Sequence, residues 1–242
     1  MRRFIQSILN RTGYEVRRLN PRKAVPNVFV EMQQLCTDDN PVIFDVGAHY
    51  GETALKFRKA FPDAKIYSFE PFPDSFTVLQ EKVSHDTNTA AFNYGLSNVN
   101  DELEFNSNID SATNSLLSTD ATGTTIWEDD LLTTTGTVRA KFNTLDTVIR
   151  ELDLPRINIL KLDVQGAEYL VMEGAAKTLR QARIDIVYTE IITQPAYVGQ
   201  KRFDQALSVF YESGFDLYNL YYPSARPGEK LRQIDAIFTR NI

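Results

Sequence analysis

Residues 42–53 read VIFDVGAHYGET, and this stretch decides the fold. A short apolar run carries Asp45 near its end and breaks at Gly47. A second glycine, Gly51, then leads into residues 53–60, where Ala54, Leu55, Phe57 and Ala60 have helical spacing. Strand, glycine turn and helix in that order form the first unit of a nucleotide-binding α/β sheet. The stretch departs from G-x-G-x-x-G at two points: His49 stands where the second glycine belongs, and Glu52 directly follows the last one.

The departure concerns charge. A dinucleotide rests its pyrophosphate on the helix N-terminus, where free N–H groups and the helix dipole favour an anion. Glu52 puts a carboxylate in that turn, which opposes a phosphate. An adenosine ligand without phosphate escapes the conflict; S-adenosylmethionine is one, and its positive sulfonium favours Asp45 and Glu52. Gly47 and Gly51 allow positive φ and close backbone approach. Glu70 lies 25 positions after Asp45, at the end of the strand-like AKIYSFE, where a carboxylate can accept ribose hydroxyls. The same acid would serve NAD, so it marks adenosine rather than which adenosine. NYGLSN brings Gly95, Leu96 and Ser97 to the edge of an adenine site, or forms an ordinary strand-end turn.

Strand-like and helix-like stretches alternate along the rest of the chain. AAFNYGLSN reads as a third strand ending at Gly95, residues 166–180 as one helix, and FDLYNLYYP and IDAIFTR as a terminal strand pair. Alternation implies a mostly parallel sheet covered on both faces. The short connection between the last two strands cannot be a parallel crossover, so one strand near the C-terminal edge is antiparallel. Residues 106–137, crowded with Ser, Thr, Asn and Asp, read as a long polar loop or lid.

The chemistry concentrates in ILKLDVQGAEYLVMEGA. Lys161 sits in an apolar strand, where an uncovered charge costs several kcal/mol. Asp163, two positions on, shares its face and would partly neutralise it at the strand's carboxyl end. Glu168 opens the next helix, where it either edges a site or complements the helix dipole. Glu190 ends IVYTE and brings another carboxylate to the same rim. Asp163, Glu190 and His49 are candidate bases, and Lys161 joins them as a candidate catalytic residue. Two carboxylates on neighbouring strand ends would alternatively suit Mg²⁺; no metal-binding residue is assigned.

The 242 residues are 43% apolar and 24% charged, the composition of an ordinary globular domain. One cysteine, Cys36, excludes an internal disulfide and fits a reducing cytoplasm. No apolar run approaches the ~20 residues that span a bilayer. Residues 1–23 hold seven Arg/Lys against one acid, so the rest of the chain carries −12 to reach the net −6. Phe4, Ile5, Ile8 and Leu9 give this leader an apolar helical face, suited to anionic lipid, an acidic partner or capping of the domain. The acidic body argues against a nucleic-acid groove.

The ordered set FDVGAHYGET, FEPFPDSFTVL, GLSN, SATNSLL, FNTLDTVI, KLDVQGAEYLVMEGA and VYTEI, across residues 42–192, resembles the FkbM family of S-adenosylmethionine-dependent methyltransferases. The resemblance implies a Rossmann-like class I methyltransferase fold, α/β with one antiparallel strand near the C-terminal edge. It also implies O-methylation, commonly of sugar or polyketide hydroxyls. By position it places Asp45, Gly47, Ala48 and Gly51 along the methionine moiety, with His49 and Thr53 in the same turn and helix start. Glu70 then holds ribose, Pro71 and Phe72 lie beside adenine, and Asp163 lies close to the transferred methyl. Two departures stand out: the family turn more often reads Gly-Ala-Asn, and Gln165 replaces a common glutamate, which weakens any metal reading there.

The expected organisation is a basic helical leader, 1–40, packed on a methyltransferase domain, 41–242. The expected function is O-methylation of a saccharide or secondary-metabolite hydroxyl, for which the tyrosines of residues 217–226 could stack on sugar rings or simply build a strand. An NAD-linked oxidoreductase and a non-catalytic adenosine-binding module are the alternatives.

Overall fold

The computed structural model describes residues 27–127, 130–226 and 228–240; the basic stretch 1–23 lies outside them. Helix α1 (Val28–Leu35) starts at Asn27, whose side chain accepts the Phe29 N–H at 3.0 Å. Strand β1 (Val42–Val46) and helix α2 (Glu52–Ala60) flank the Gly47–Gly51 turn. Strand β2 (Lys65–Phe69), helix α3 (Pro73–Val83) and strand β3 (Thr89–Phe92) follow. Pro73 suits the first turn of α3 because that position needs no N–H donor.

A side excursion comes next: β4 (Gly95–Leu96), β5 (Asp101–Asn108), the four-residue α4 (Gly123–Ile126) and β6 (Thr134–Asn143). The main sheet resumes with α5 (Leu145–Glu151), β7 (Ile157–Leu162), α6 (Glu168–Glu173), α7 (Ala176–Arg180) and β8 (Ile184–Ile192). Helix α8 (Phe203–Glu212) and strands β9 (Asp216–Ser224) and β10 (Gln233–Thr239) complete it.

The seven-stranded sheet has the order β3-β2-β1-β7-β8-β10-β9. The pairs among β3, β2, β1, β7 and β8 are parallel, and β10 runs antiparallel to both β8 and β9. The reversed strand is therefore one in from the edge, as the short β9–β10 connection requires. Strand residues alternate between two cores. Phe44, Val46, Leu160, Leu162 and Val187 pack under α5 to α8, while Ile43, Ile159, Ile186 and Ile237 pack under α1 to α3. Full burial of each such side chain contributes roughly 1.5–3 kcal/mol. Asp45 and Lys161 fall on the second face, next to one another in the β1–β7 register.

Three expectations change. AAFNYGLSN is not one strand: β3 ends at Phe92, and Gly95-Leu96 pair with Phe142-Asn143 in a separate sheet of order β4-β6-β5. A Cβ on Gly95 would lie 2.3 Å from the Phe142 ring, so only glycine lets this strand approach. The helix over 166–180 is two helices separated at Gly174 and Ala175, because the backbone there closes on the Ser97 carbonyl. Residues 106–137 are not loop throughout: both ends belong to the antiparallel β5–β6 ladder, from Asn106↔Thr137 to Asn108↔Thr134. Its polar side chains satisfy turns inside the excursion, as where Asn108 Nδ2 donates to the Thr113 carbonyl at 2.7 Å.

Candidate functional site

The carboxyl ends of β1, β2 and β7 converge on the Gly47 turn. Gly47 has φ +74°, and a Cβ there would sit 1.9 Å from the Asp163 carbonyl oxygen, so the β1 and β7 ends meet backbone to backbone. Gly47 and Ala48 N–H both donate to the Phe69 carbonyl, at 3.0 and 3.1 Å. Lys161 Nζ donates to the Gly47 carbonyl at 2.6 Å and the Val46 carbonyl at 3.3 Å. It also lies 3.0 Å from Asp45 Oδ1, as an ion pair rather than an aligned hydrogen bond, and 3.7 Å from Asp163 Oδ2. Burial works against the ammonium, but Asp45 and then Asp163 outweigh it and hold the Lys161 pKa up. These contacts make Lys161 a brace for the turn, although it also lines the cleft beside Glu70. Asp45, expected along a methionine chain, is fully buried beneath the turn and is not among the residues that line that cleft.

Glu70, 6% exposed, accepts the His49 N–H at 2.8 Å and the Phe72 N–H at 2.9 Å, one on each carboxylate oxygen. Burial pushes its carboxyl up to about 7, against the pull of those two N–H groups. Each oxygen keeps a second lone pair toward the cleft beside it. That cleft holds about 880 Å³ of non-atom space, open solvent included. Gly47, Ala48, His49, Thr53, Glu70, Pro71, Gly95, Leu96, Lys161 and Asp163 line it, as does Glu52. Gly51, Phe72 and Ser97 do not line it: Gly51 packs on Leu79, and Ser97 is covered by the close approach of Gly174. Glu52 is paired with Lys82 at 2.6 Å, so its charge at the helix start is compensated.

The sequence reading missed one wall of this cleft. Phe105 and Phe142 supply aromatic surface with ring centres 5.9 Å apart, and Ser111, Ala112, Asn114 and Leu116 close over it. Only the motif SATNSLL hinted at these last residues. His49 Nε2 and Tyr50 Oη lie 2.8 and 3.0 Å from Ser111 Oγ, and Ser115 Oγ donates to the Gln165 carbonyl at 2.7 Å. Burial lowers the His49 pKa. This ring stacks on Tyr50 and faces the first cleft only.

A second cleft, about 720 Å³ of empty space, shares Ala112, Asp163 and Gln165 with the first. Its further lining includes Trp127, Leu132, Glu190, Tyr197 and Gln233. Gln165, at φ +54°, extends its amide between the two carboxylates: Nε2 is 2.9 Å from Asp163 Oδ1 and 3.4 Å from Glu190 Oε2. Tyr197 Oη donates to Gln165 Oε1 at 2.9 Å, and Gln233 Nε2 to Glu190 Oε1 at 2.6 Å. Burial first, then the charges of Asp163, Asp235 and Glu168, raise the Glu190 carboxyl well above its ordinary value. Glu168 itself caps the turn before α6, accepting Val164 and Gly166 N–H at 3.0 and 3.3 Å, and burial raises it to about 7.

Mg²⁺ does not fit this arrangement. The gap between Asp163 and Glu190 is filled by an N–H donor, and no cluster of three or more His, Cys, Asp or Glu suited to a metal occurs among the described residues. The tyrosines of 217–226 line neither cleft: Tyr221 is buried in the sheet, while Tyr218 and Tyr222 lie on the outer strand. No helix among the described residues is long and apolar enough to cross a membrane.

The methyltransferase FkbM domain profile matches residues 45–217. A 2-O-methyltransferase, NoeI of Sinorhizobium fredii, is 29% identical over 188 residues, covering 74% of this chain and 75% of that protein. The hexuronic acid methyltransferase AglP of Haloferax volcanii is 26% identical over 151 residues, 62% of this chain and 56% of that protein. Among solved structures, the fibrillarin pre-rRNA processing protein of Methanococcus jannaschii superposes with a TM-score of 0.51 at 11% identity, over 90% of this chain and 71% of the other; that likeness concerns the fold. The family profile spans well over half of the sequence and takes in both β1–β7 strand ends, so the chain belongs to the FkbM methyltransferases and is an S-adenosylmethionine-dependent enzyme.

Proposed function

We propose that the protein methylates a hydroxyl of a saccharide, with S-adenosylmethionine in the first cleft and the acceptor in the second. The observation that carries this reading is the shared boundary: Asp163 and Gln165 line both clefts, and Glu190 stands across the Gln165 amide. The donor set fits the cofactor. Glu70 offers lone pairs to a ribose diol, the Leu96 and Phe142 side chains suit an adenine face, and Asp163 favours a positive sulfonium. The kinship with a 2-O-methyltransferase supports transfer to oxygen, and that with a hexuronic acid methyltransferase supports a sugar acceptor.

When bound, S-adenosylmethionine supplies a methyl group on a positively charged sulfur, ready for in-line displacement. The chain's own task is alignment and proton removal. Glu190, once ionised, is a stronger base than an ordinary carboxylate because its surroundings disfavour the charge. It accepts the acceptor's proton as the carbon–oxygen bond forms, and Gln165 and Gln233 hold its oxygens in place. Asp163 remains beside the developing reaction centre and is the second candidate for that proton.

Isothermal titration with S-adenosylhomocysteine tests the first cleft, and transfer of a labelled methyl to a panel of glycosides tests the second. Binding that Glu70→Gln weakens by about tenfold or more is expected, together with label on at least one glycoside. A folded protein that binds neither S-adenosylhomocysteine nor S-adenosylmethionine would contradict the cofactor site. Binding without transfer to any sugar would remove the saccharide.

A further inference from the structure

The proposed function seats the acceptor in the second cleft, and any charge preference of that cleft rests on that reading. Trp127 forms one wall, its indole N–H donating to the Pro195 carbonyl at 3.0 Å, so the ring is held in place. The ionisable side chains in the lining are Asp163, Glu190 and Tyr197; no lysine or arginine lines the cleft among the described residues. The Arg232 guanidinium lies over the Trp127 ring, 6.0 Å from its centre, and is paired with Glu229 at 2.7 Å.

A carboxylate or phosphate entering this space would shed water beside the Asp163 carboxylate, with no lysine or arginine in the lining to pair with it. Sugar hydroxyls meet the opposite situation. They would find acceptors at Asp163 and Glu190, and the C–H face of a pyranose would cover the indole. A site built from acceptors selects a ligand built from donors.

We propose that this cleft takes an uncharged pyranoside, stacked on Trp127 with its hydroxyls on Asp163 and Glu190, and discriminates against the corresponding uronate or sugar phosphate. The preference separates this chain from its relative described as a hexuronic acid methyltransferase.

Trp127 is the single tryptophan of the chain, so intrinsic fluorescence reads this cleft directly. The full-length protein, saturated with S-adenosylhomocysteine, is titrated with methyl glycosides of neutral hexoses and with the methyl glycosides of the free uronates of matching ring configuration. At least one neutral glycoside should change the emission saturably, and its uronate should bind about tenfold or more weakly. By calorimetry, Trp127→Ala should lose about tenfold or more in affinity while Trp127→Phe, which keeps a ring, retains most of it. Glu190→Gln should narrow the gap between neutral and anionic partners. A uronate that binds as tightly as its neutral partner would overturn the proposal, as would a protein that binds S-adenosylhomocysteine but no glycoside; that second result leaves the cofactor cleft standing. A folded protein that binds no S-adenosylhomocysteine overturns both readings.

Discussion

Glu70 joins the first two turns of the sheet through one carboxylate. Its oxygens accept the N–H groups of His49 and Phe72, and burial raises its pKa from 4.5 to about 7. Between those two values the folded protein holds the proton more tightly than the unfolded chain does. Stability from this group is therefore fully present below 4.5 and is lost as pH rises through about 7. Glu168, also raised to about 7, adds to the same decline. Denaturant midpoints measured across that window should fall with pH, and Glu70→Gln should flatten part of the fall. Identical pH profiles for variant and parent would show that Glu70 is not the group responsible. Much of this was legible in advance: an acid ending β2 belongs at the ligand side of such a sheet. Its grip on His49 N was not, because that bond depends on how the turn folds back over the neighbouring strand.

At the level of elements, Asp45 and Lys161 hold the ends of β1 and β7 together. Lys161→Met should leave the fully buried Asp45 without its counter-charge and cost about 3–5 kcal/mol in urea unfolding. Adding Asp45→Asn should restore part of that loss, since a neutral amide tolerates burial better. A double variant no more stable than Lys161→Met alone would assign the cost to lost carbonyl contacts at Gly47 instead. The i, i+2 spacing correctly put Lys161 and Asp163 on one face. It could not show that Asp45 is the closer partner, at 3.0 rather than 3.7 Å, because that follows from the parallel register of two strands far apart in sequence. The break at Gly174 was hidden for a similar reason: it answers to the Ser97 backbone, not to local helical preference.

Across the whole molecule, the β5–β6 excursion contributes walls to both clefts. Residues 111–117 reach His49, Tyr50 and Gln165 by hydrogen bonds, and Tyr197 Oη holds the Thr113 carbonyl at 2.8 Å. Ligand in the first cleft should rigidify this segment. Hydrogen exchange with and without S-adenosylhomocysteine should show added protection over 111–117 and at the 47–51 turn, with little change in α5 or α8. Uniform protection would instead indicate global stabilisation by mass action. The sequence by itself determined the alternating α/β plan, the reversed strand near the C-terminal edge and the turn at Gly47. These come from local spacing, glycine conformation and the length of a connection. Only the tertiary structure decided that Lys161 braces the turn, that Asp45 is buried beneath it, and that Trp127 and Tyr197 rather than the C-terminal tyrosines line the cleft with Glu190. Each of those facts depends on strand register and on the docking of a polar excursion, contacts between residues that no local pattern relates.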